Sequence, residues 1–341
     1  MKNKQLLIGL GIIILLVAAV YYFISGNKTN TLKKELTNFA VKDTASITKI
    51  FMADKRGKQV TLERVNSNEW KVNGKYPAKT SSMKILLETM HGISVKSTVP
   101  KTAFNNVVKR MAAEAVKVEI YQKGSLSKTY YVGGTTIDFY GTYMMLENSS
   151  TPFVMWLQGF EGFLNTRYFT DENLWRSNYF FTQLPYEFTH IKIEYPRNPE
   201  LSFDLGIAHP QTDKRLVSFS LTSPQSGKTI NFDTAMVKAY LLEFKSIAFE
   251  IVSDKMNPNT KDSTLTLEPL HLITVEDLKG NKMEFKTFPR KGNDGDLDEK
   301  GYQLKYDPDR FYVQLNQEPN LFMAQYHVFD KILKPITYFE K

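Results

Sequence analysis

The chain has 341 residues, 42% of them hydrophobic and 13% aromatic, enough apolar surface for two domain cores and too much for an intrinsically disordered protein. It has no cysteine, which excludes disulfide scaffolds, thiolate metal sites, iron-sulfur clusters, cysteine nucleophiles and a lipidated N-terminal cysteine. The formal charge of +8 admits a nucleic-acid partner, a membrane surface or neither, and its distribution along the chain decides among them.

Residues 6–24, LLIGLGIIILLVAAVYYFI, form 19 positions without a charge, long enough at ~1.5 Å per residue to cross a hydrocarbon core of ~30 Å. They predict a transmembrane helix within a signal anchor at residues 1–26, with the lipid bilayer as the partner of residues 6–24. A cleaved secretory signal needs small residues after a shorter apolar core. Tyr21, Tyr22 and Phe23 stand there instead, while Ala18 and Ala19 keep that alternative open. Lys2 and Lys4 precede the span and Lys28, Lys33 and Lys34 follow it, so the charge rule is nearly balanced. The short N-terminal tail and long polar body point to a bacterial inner-membrane protein, single pass, with its body in the periplasm. Residues 1–45 carry six lysines against Glu35 and Asp43, half of the net charge. The +4 left for the rest of the chain is too dilute to imply nucleic acid.

Residues 27–45 read as a tether with one weak apolar stripe of Leu32, Leu36 and Phe39. The first α+β repeat is placed at residues 46–164. Alternation predicts strands at Ile47 to Met52, Gln59 to Arg64 and Trp70 to Val72, and Thr80, Ser81 and Ser82 predict the cap of a helix with Met83, Leu86, Leu87 and Met90 on one face and Gly92 at its end. The second repeat, residues 186–341, shows the same order: strands at Ile191 to Tyr195 and Leu201 to Leu205, then a helix started by Asp233 with Val237, Tyr240, Leu241 and Phe244 on its apolar face. An offset of 154 aligns the two helices; an offset of 169 pairs Tyr143 with Tyr312, Leu146 with Leu315, Phe153 with Phe322, Phe160 with Phe329 and Leu164 with Leu333. Both of these later blocks predict strand, turn, strand and a short aromatic helix. Serial self-similarity of this kind marks a duplicated unit. The fold class is therefore α+β: an N-terminal transmembrane helix followed by two modules, each an antiparallel sheet with one or two helices packed on it.

The connecting segment 165–185 is rich in aromatics and arginine. Arg167, Tyr168, Trp175, Arg176 and Tyr179 are candidates for an interaction surface, because Trp, Tyr and Arg dominate binding hot spots. The competing reading is packing, in which the aromatics close the two copies over one another and the arginines pair with Asp171 and Glu172.

Nothing in the chain announces catalysis. The five histidines, His91, His190, His209, His271 and His327, never recur at helical ligand spacing, and no nucleophile elbow, phosphate-binding loop or S-x-x-K dyad is present. Asp294, Asp296 and Asp298 alternate like the ligands of a calcium loop, but Lys305 stands where the bidentate Glu is needed, which favours a solvated acidic turn. The reading is a non-enzymatic protein without cofactor or metal.

With these residues in view, the chain resembles the family called domain of unknown function 4340 (DUF 4340), in a Bacteroidetes-like version with an N-terminal membrane anchor. The resemblance is carried by Glu69-Trp70-Lys71-Val72, by VGGTTIDFYGTYMMLENSSTPFVMWLQGFEGFL at 132–164, by Arg167-Tyr168-Phe169, Leu174-Trp175-Arg176 and DRFYVQLN at 309–316. It implies a membrane-anchored α+β protein facing the envelope space, with no activity and no transferable site residue. Similar proteins accompany ABC-type transporter components related to gliding machinery. The expected function is an extracytoplasmic interaction or assembly subunit of a cell-envelope complex, with an envelope protein, such as a transporter subunit, as partner. The alternatives are a glycan- or lipid-binding module using aromatic stacking, and a carboxylate-based hydrolase of envelope polymers.

Overall fold

The computed structural model describes residues 37–210 and 217–341. The proposed membrane span at 6–24 and the first part of the tether lie outside the described residues; among the described ones no helix is long and apolar enough to cross a membrane. The chain divides into two compact units, residues 1–177 and 178–341.

The first unit runs β1 (Ile47–Ala53), β2 (Gln59–Arg64), β3 (Trp70–Val72), β4 (Tyr76–Pro77), α1 (Thr80–Gly92), β5 (Ile93–Thr98), α2 (Lys101–Glu114), β6 (Val116–Gln122), β7 (Ser125–Thr135), β8 (Thr142–Leu146), β9 (Phe153–Leu157) and α3 (Glu172–Trp175). Its strands form one antiparallel sheet in the order β4-β3-β2-β1-β6-β7-β8-β9-β5. The second unit runs β10 (Phe188–Glu194), β11 (Phe203–Ala208), β12 (Ser218–Thr222), α4 (Thr234–Glu243), β13 (Ile251–Val252), α5 (Pro258–Leu265), β14 (His271–Asp277), β15 (Lys282–Lys291), β16 (Tyr306–Leu315), β17 (Phe322–Gln325) and α6 (Tyr326–Phe329). Its sheet order is β12-β11-β10-β14-β15-β16-β17-β13. Apart from the two-residue β4, the two orders are the same topology.

The registers agree residue for residue. Ile50 faces Ile120 and Leu62 in the first sheet as Ile191 faces Val275 and Leu205 in the second. Both central pairs carry a register shift at the same place, between Ile47 and Lys49 and between Phe188 and His190. Met144 faces Val132 and Phe153, and Val313 faces Thr287 and Phe322. A one-residue slip would turn each buried row to solvent, so shared register means a shared core pattern. Met83, Leu86, Met90 and Ile93 are buried, and so are their partners at the offset of 154, Val237, Tyr240, Phe244 and Ile247.

Each core is closed from both ends of its own segment. Phe39 is buried with its ring 6.2 Å from Tyr130 and 6.3 Å from Phe153; Phe180 stands 5.3 Å from Phe285 and 5.4 Å from Phe322, the corresponding rings. Backbone bonds Val41 N to Met90 O and Phe180 N to Ile247 O pin these plugs. Lys128 donates to the carbonyls of Asn38 (2.6 Å) and Ala40 (2.6 Å), and burial pulls its pKa down to about 8. At the other end a strap returns across the helix start. Lys79 N donates to Trp175 O at 2.7 Å, as Asp233 N donates to Phe339 O at 2.9 Å, and antiparallel bridges join Ala78 to Arg176 and Phe232 to Glu340.

These straps and plugs correct the segment boundaries expected from sequence. The tether does not extend to residue 45, because Phe39 and Val41 are core residues of the first unit. Residues 165–185 are not a connector. Residues up to 177 close the first unit, while Phe180 and Phe181 belong to the core of the second. The first helix has Lys79 at its N-cap and no side-chain cap, so Thr80, Ser81 and Ser82 are its first turn rather than its cap. The helix of the second unit starts as expected, with the Asp233 carboxylate accepting from Ala235 N at 2.8 Å. The short aromatic helix expected after both strand pairs forms only in the second unit, as α6.

Phe39→Ala or Trp175→Ala should cost about 3–5 kcal/mol, the usual loss for a fully buried aromatic. Hydrogen exchange should then show lost protection within residues 37–177 and retained protection within 178–341; uniform loss across the chain would contradict a core closed by its own plug and strap.

Candidate interaction surface

The residues expected to form a surface are scattered by the fold. Tyr168 and Trp175 are buried in the first core, Tyr168 accepting a hydrogen bond from Tyr130 Oη at 3.2 Å and Trp175 Nε1 donating to Phe169 O at 2.8 Å. Arg167 donates to Thr89 Oγ1 at 2.6 Å and lies 4.1 Å over the Phe160 ring, while Arg176 lies 3.7 Å over Tyr76. Asp171, expected to pair with an arginine, meets Lys58 Nζ at 3.0 Å. Tyr179 alone of the three aromatics is exposed, and it belongs to the second unit. The candidate surface is thus mostly packing, and the stacking platform required by a glycan-binding reading loses Tyr168 and Trp175.

Exposed apolar side chains are spread over both units, Leu174, Tyr179 and Leu184 of segment 165–185 among them, and some stand on the loops that join equivalent strands of the two units. Residues 136–141 link β7 to β8, and there Ile137 is 93% exposed, Phe139 61% and Tyr140 53%. The loop is held from within. Thr136 N donates to Gly141 O at 3.0 Å, Phe139 N to Thr136 O at 3.1 Å, and Asp138 accepts from Thr136 Oγ1 and from Tyr140 N. Those bonds, the Thr136 hydroxyl foremost, keep the Asp138 carboxyl below its usual range. Phe139 is left-handed, with φ +61°, a conformation a bulky residue adopts only when its surroundings impose it. Gly141 is required where the chain turns back over β9, because a Cβ there would meet Val154 Cγ1 at 2.5 Å. Lys96 Nζ donates to Tyr140 O at 3.0 Å and stands 5.9 Å from the Trp156 ring.

In the second unit the loop between β15 and β16 is longer and exposes Leu297 (56%) and Tyr302 (70%). This is the acidic segment with alternating aspartates. Asp296 accepts from the backbone and side-chain nitrogens of Asn293, both at 2.9 Å, and Asp298 from the amides of Lys300 (2.9 Å) and Tyr302 (2.8 Å). The aspartates shape the turn. Among the described residues no group of three His, Asp or Glu is arranged to hold a metal ion.

Both units also have a cleft beside the second helix. The first, of about 680 Å³, is lined by the β1–β2 turn, the end of α2, β7 and the strap. Lys58 pairs with Asp171 at 3.0 Å, Arg110 with Glu114 at 3.1 Å and Arg56 with Asp54 at 3.8 Å, while Lys55 stands 5.9 Å from the Tyr131 ring. Burial would raise the pKa of Asp54, but hydrogen bonds from Thr170 and the amides of Lys58 and Arg56 outweigh it and hold the carboxyl down, the opposite of what a general acid requires. The second, of about 920 Å³, lies between α5 and the start of the long loop. Where the first unit has Gly134 and Thr135, the second has Pro289 and Arg290, with Arg290 paired to the buried Asp307. The two clefts therefore differ in lining at these two strand positions.

Sequence reasoning missed Ile137, Phe139 and Tyr140 because it searched for binding residues where aromatics are dense. The available signal was the opposite: three large apolar residues set among the turn residues Asp138 and Gly141.

No known protein family, curated protein or solved structure matches the chain.

A partly buried histidine supplies a pH test. Burial lowers the pKa of His271 to about 4, with its Nδ1 2.9 Å from Thr287 Oγ1. The unfolded chain therefore takes up this proton first as pH falls. The stability that neutral His271 contributes is complete above about pH 6.5 and is lost on the way down to about pH 4, by about 3 kcal/mol in all. Thermal melts across that range should show a shallower loss for His271→Phe than for the parent; equal slopes would rule the histidine out.

Proposed function

We propose that this protein is a non-enzymatic, membrane-anchored interaction or assembly subunit of a cell-envelope complex. Its body is periplasmic and residues 6–24 hold it in the bacterial inner membrane. The resemblance of the sequence to the DUF 4340 family, which no family-model match accompanies, suggests an ABC-type transporter or gliding-related assembly as the partner class. The observation that supports the reading is where exposed apolar surface lies. Part of it stands on self-bonded loops at equivalent positions of the two units, Ile137, Phe139 and Tyr140 in the first and Leu297 and Tyr302 in the second. A preorganised projecting side chain loses little entropy on binding, as an interface anchor requires. A hydrolase would instead need facing carboxylates with separated proton affinities.

A photo-crosslinking residue in place of Tyr302, in native membranes, should capture one envelope protein that a probe at Ser226, on a different loop of the same unit, does not. Recovery of the same products from both positions, or of none, would remove the basis for an interaction role at this loop.

A further inference from the structure

The net charge is divided between the units. Residues 1–177 hold 24 Lys and Arg against 13 Asp and Glu, and residues 178–341 hold 20 against 23. The +4 that the sequence leaves for residues 46–341 is thus +7 on the first unit and −3 on the second. The unit next to the apolar run 6–24 is the basic one, and among its described residues the most exposed large apolar side chain is Ile137, on the tip it shares with Phe139 and Tyr140.

We infer that this tip rests in the interfacial region of the bilayer that residues 6–24 enter, with Ile137 and Phe139 at the acyl boundary and Lys96 against anionic lipid phosphates. The inference rests on reading residues 6–24 as an uncleaved anchor. Three observations carry it. The tip is exposed and held by its own hydrogen bonds, with two bulky apolar side chains, a flanking tyrosine, and a lysine bonded to that tyrosine's carbonyl, the composition of an interfacial segment. The surrounding unit is basic, as attraction to anionic headgroups requires. The reach is sufficient. Lys128 fixes Asn38 against β7, and from there the strand runs about 23 Å to Thr135 at ~3.3 Å per residue. The 12 residues 25–36 separate the apolar run from the described chain, a number of residues whose fully extended limit is about 40 Å. The corresponding loop of the second unit lies on an acidic body and carries Asp294, Asp296 and Asp298, so anionic lipid is the wrong partner for it.

The absence of cysteine makes single-site labelling direct. Full-length chains with Ile137→Cys, Leu126→Cys or Leu297→Cys, each carrying an environment-sensitive nitrobenzoxadiazole label, would be reconstituted into vesicles of phosphatidylethanolamine and phosphatidylglycerol, with and without brominated lipid. All three side chains are exposed, so the label should be tolerated. The expected result is blue-shifted emission at position 137 and bromine quenching several-fold stronger than at 126 or 297, reduced by adding Phe139→Ser. Three results overturn the proposal alone: water-like emission at 137 in a chain that floats with the vesicles, equal quenching at 126, or a blue shift without lipid quenching, which would assign the tip to a protein groove. A chain that does not float with the vesicles overturns the anchor reading, and this proposal with it.

Discussion

Each unit is a single antiparallel sheet without a second sheet to cover its apolar face, and keeping water from that face governs everything else in the chain. One helix covers part of it. The rest is closed by the ends of the segment itself: an aromatic plug before the first strand and a strap that bonds back to the residue ahead of the helix. The plugs Phe39 and Phe180 meet equivalent strands, and the straps bond through Trp175 O and Phe339 O to the residue ahead of the equivalent helix. The duplication is thus a duplication of a closure scheme as well as of a strand order.

Much of this was legible in the sequence, for definite reasons. Period-two alternation placed β2 and β3 to the residue, and the constant spacing from Tyr143 to Leu164 and from Tyr312 to Leu333 reported two copies before any contact was known. Plugs and straps have no period to detect. Phe39 is one aromatic in a polar stretch, and Trp175 lies among arginines, so composition made the first look like tether and the second like surface. A Trp that seals a core and a Trp that anchors a partner have the same neighbours in sequence. What separates them is the bond from Lys79 N to Trp175 O, a contact across nearly a hundred residues.

The copies differ where the shared closure does not constrain them. Gly133 and Gly134 let α2 lie close on β7, since a Cβ on Gly133 would meet Met111 at 2.8 Å and one on Gly134 would meet Arg110 at 2.9 Å. The second unit has Phe288 and Pro289 there and a shorter helix. The loop after the strand lengthens and turns acidic, and the body changes sign. Chemistry was free to diverge at the loops and clefts because none of it helps to cover the sheet.

The plug also changes how load passes through the molecule. Tension on the chain ahead of residue 37 reaches Phe39 and the two carbonyls held by Lys128 before it reaches any strand. A pull from the N-terminal side is therefore resisted by an aromatic wedged in the core rather than absorbed by a slack hinge. Phe39 is part of the core beneath the first sheet, so displacing that ring would uncover apolar surface before any strand is parted.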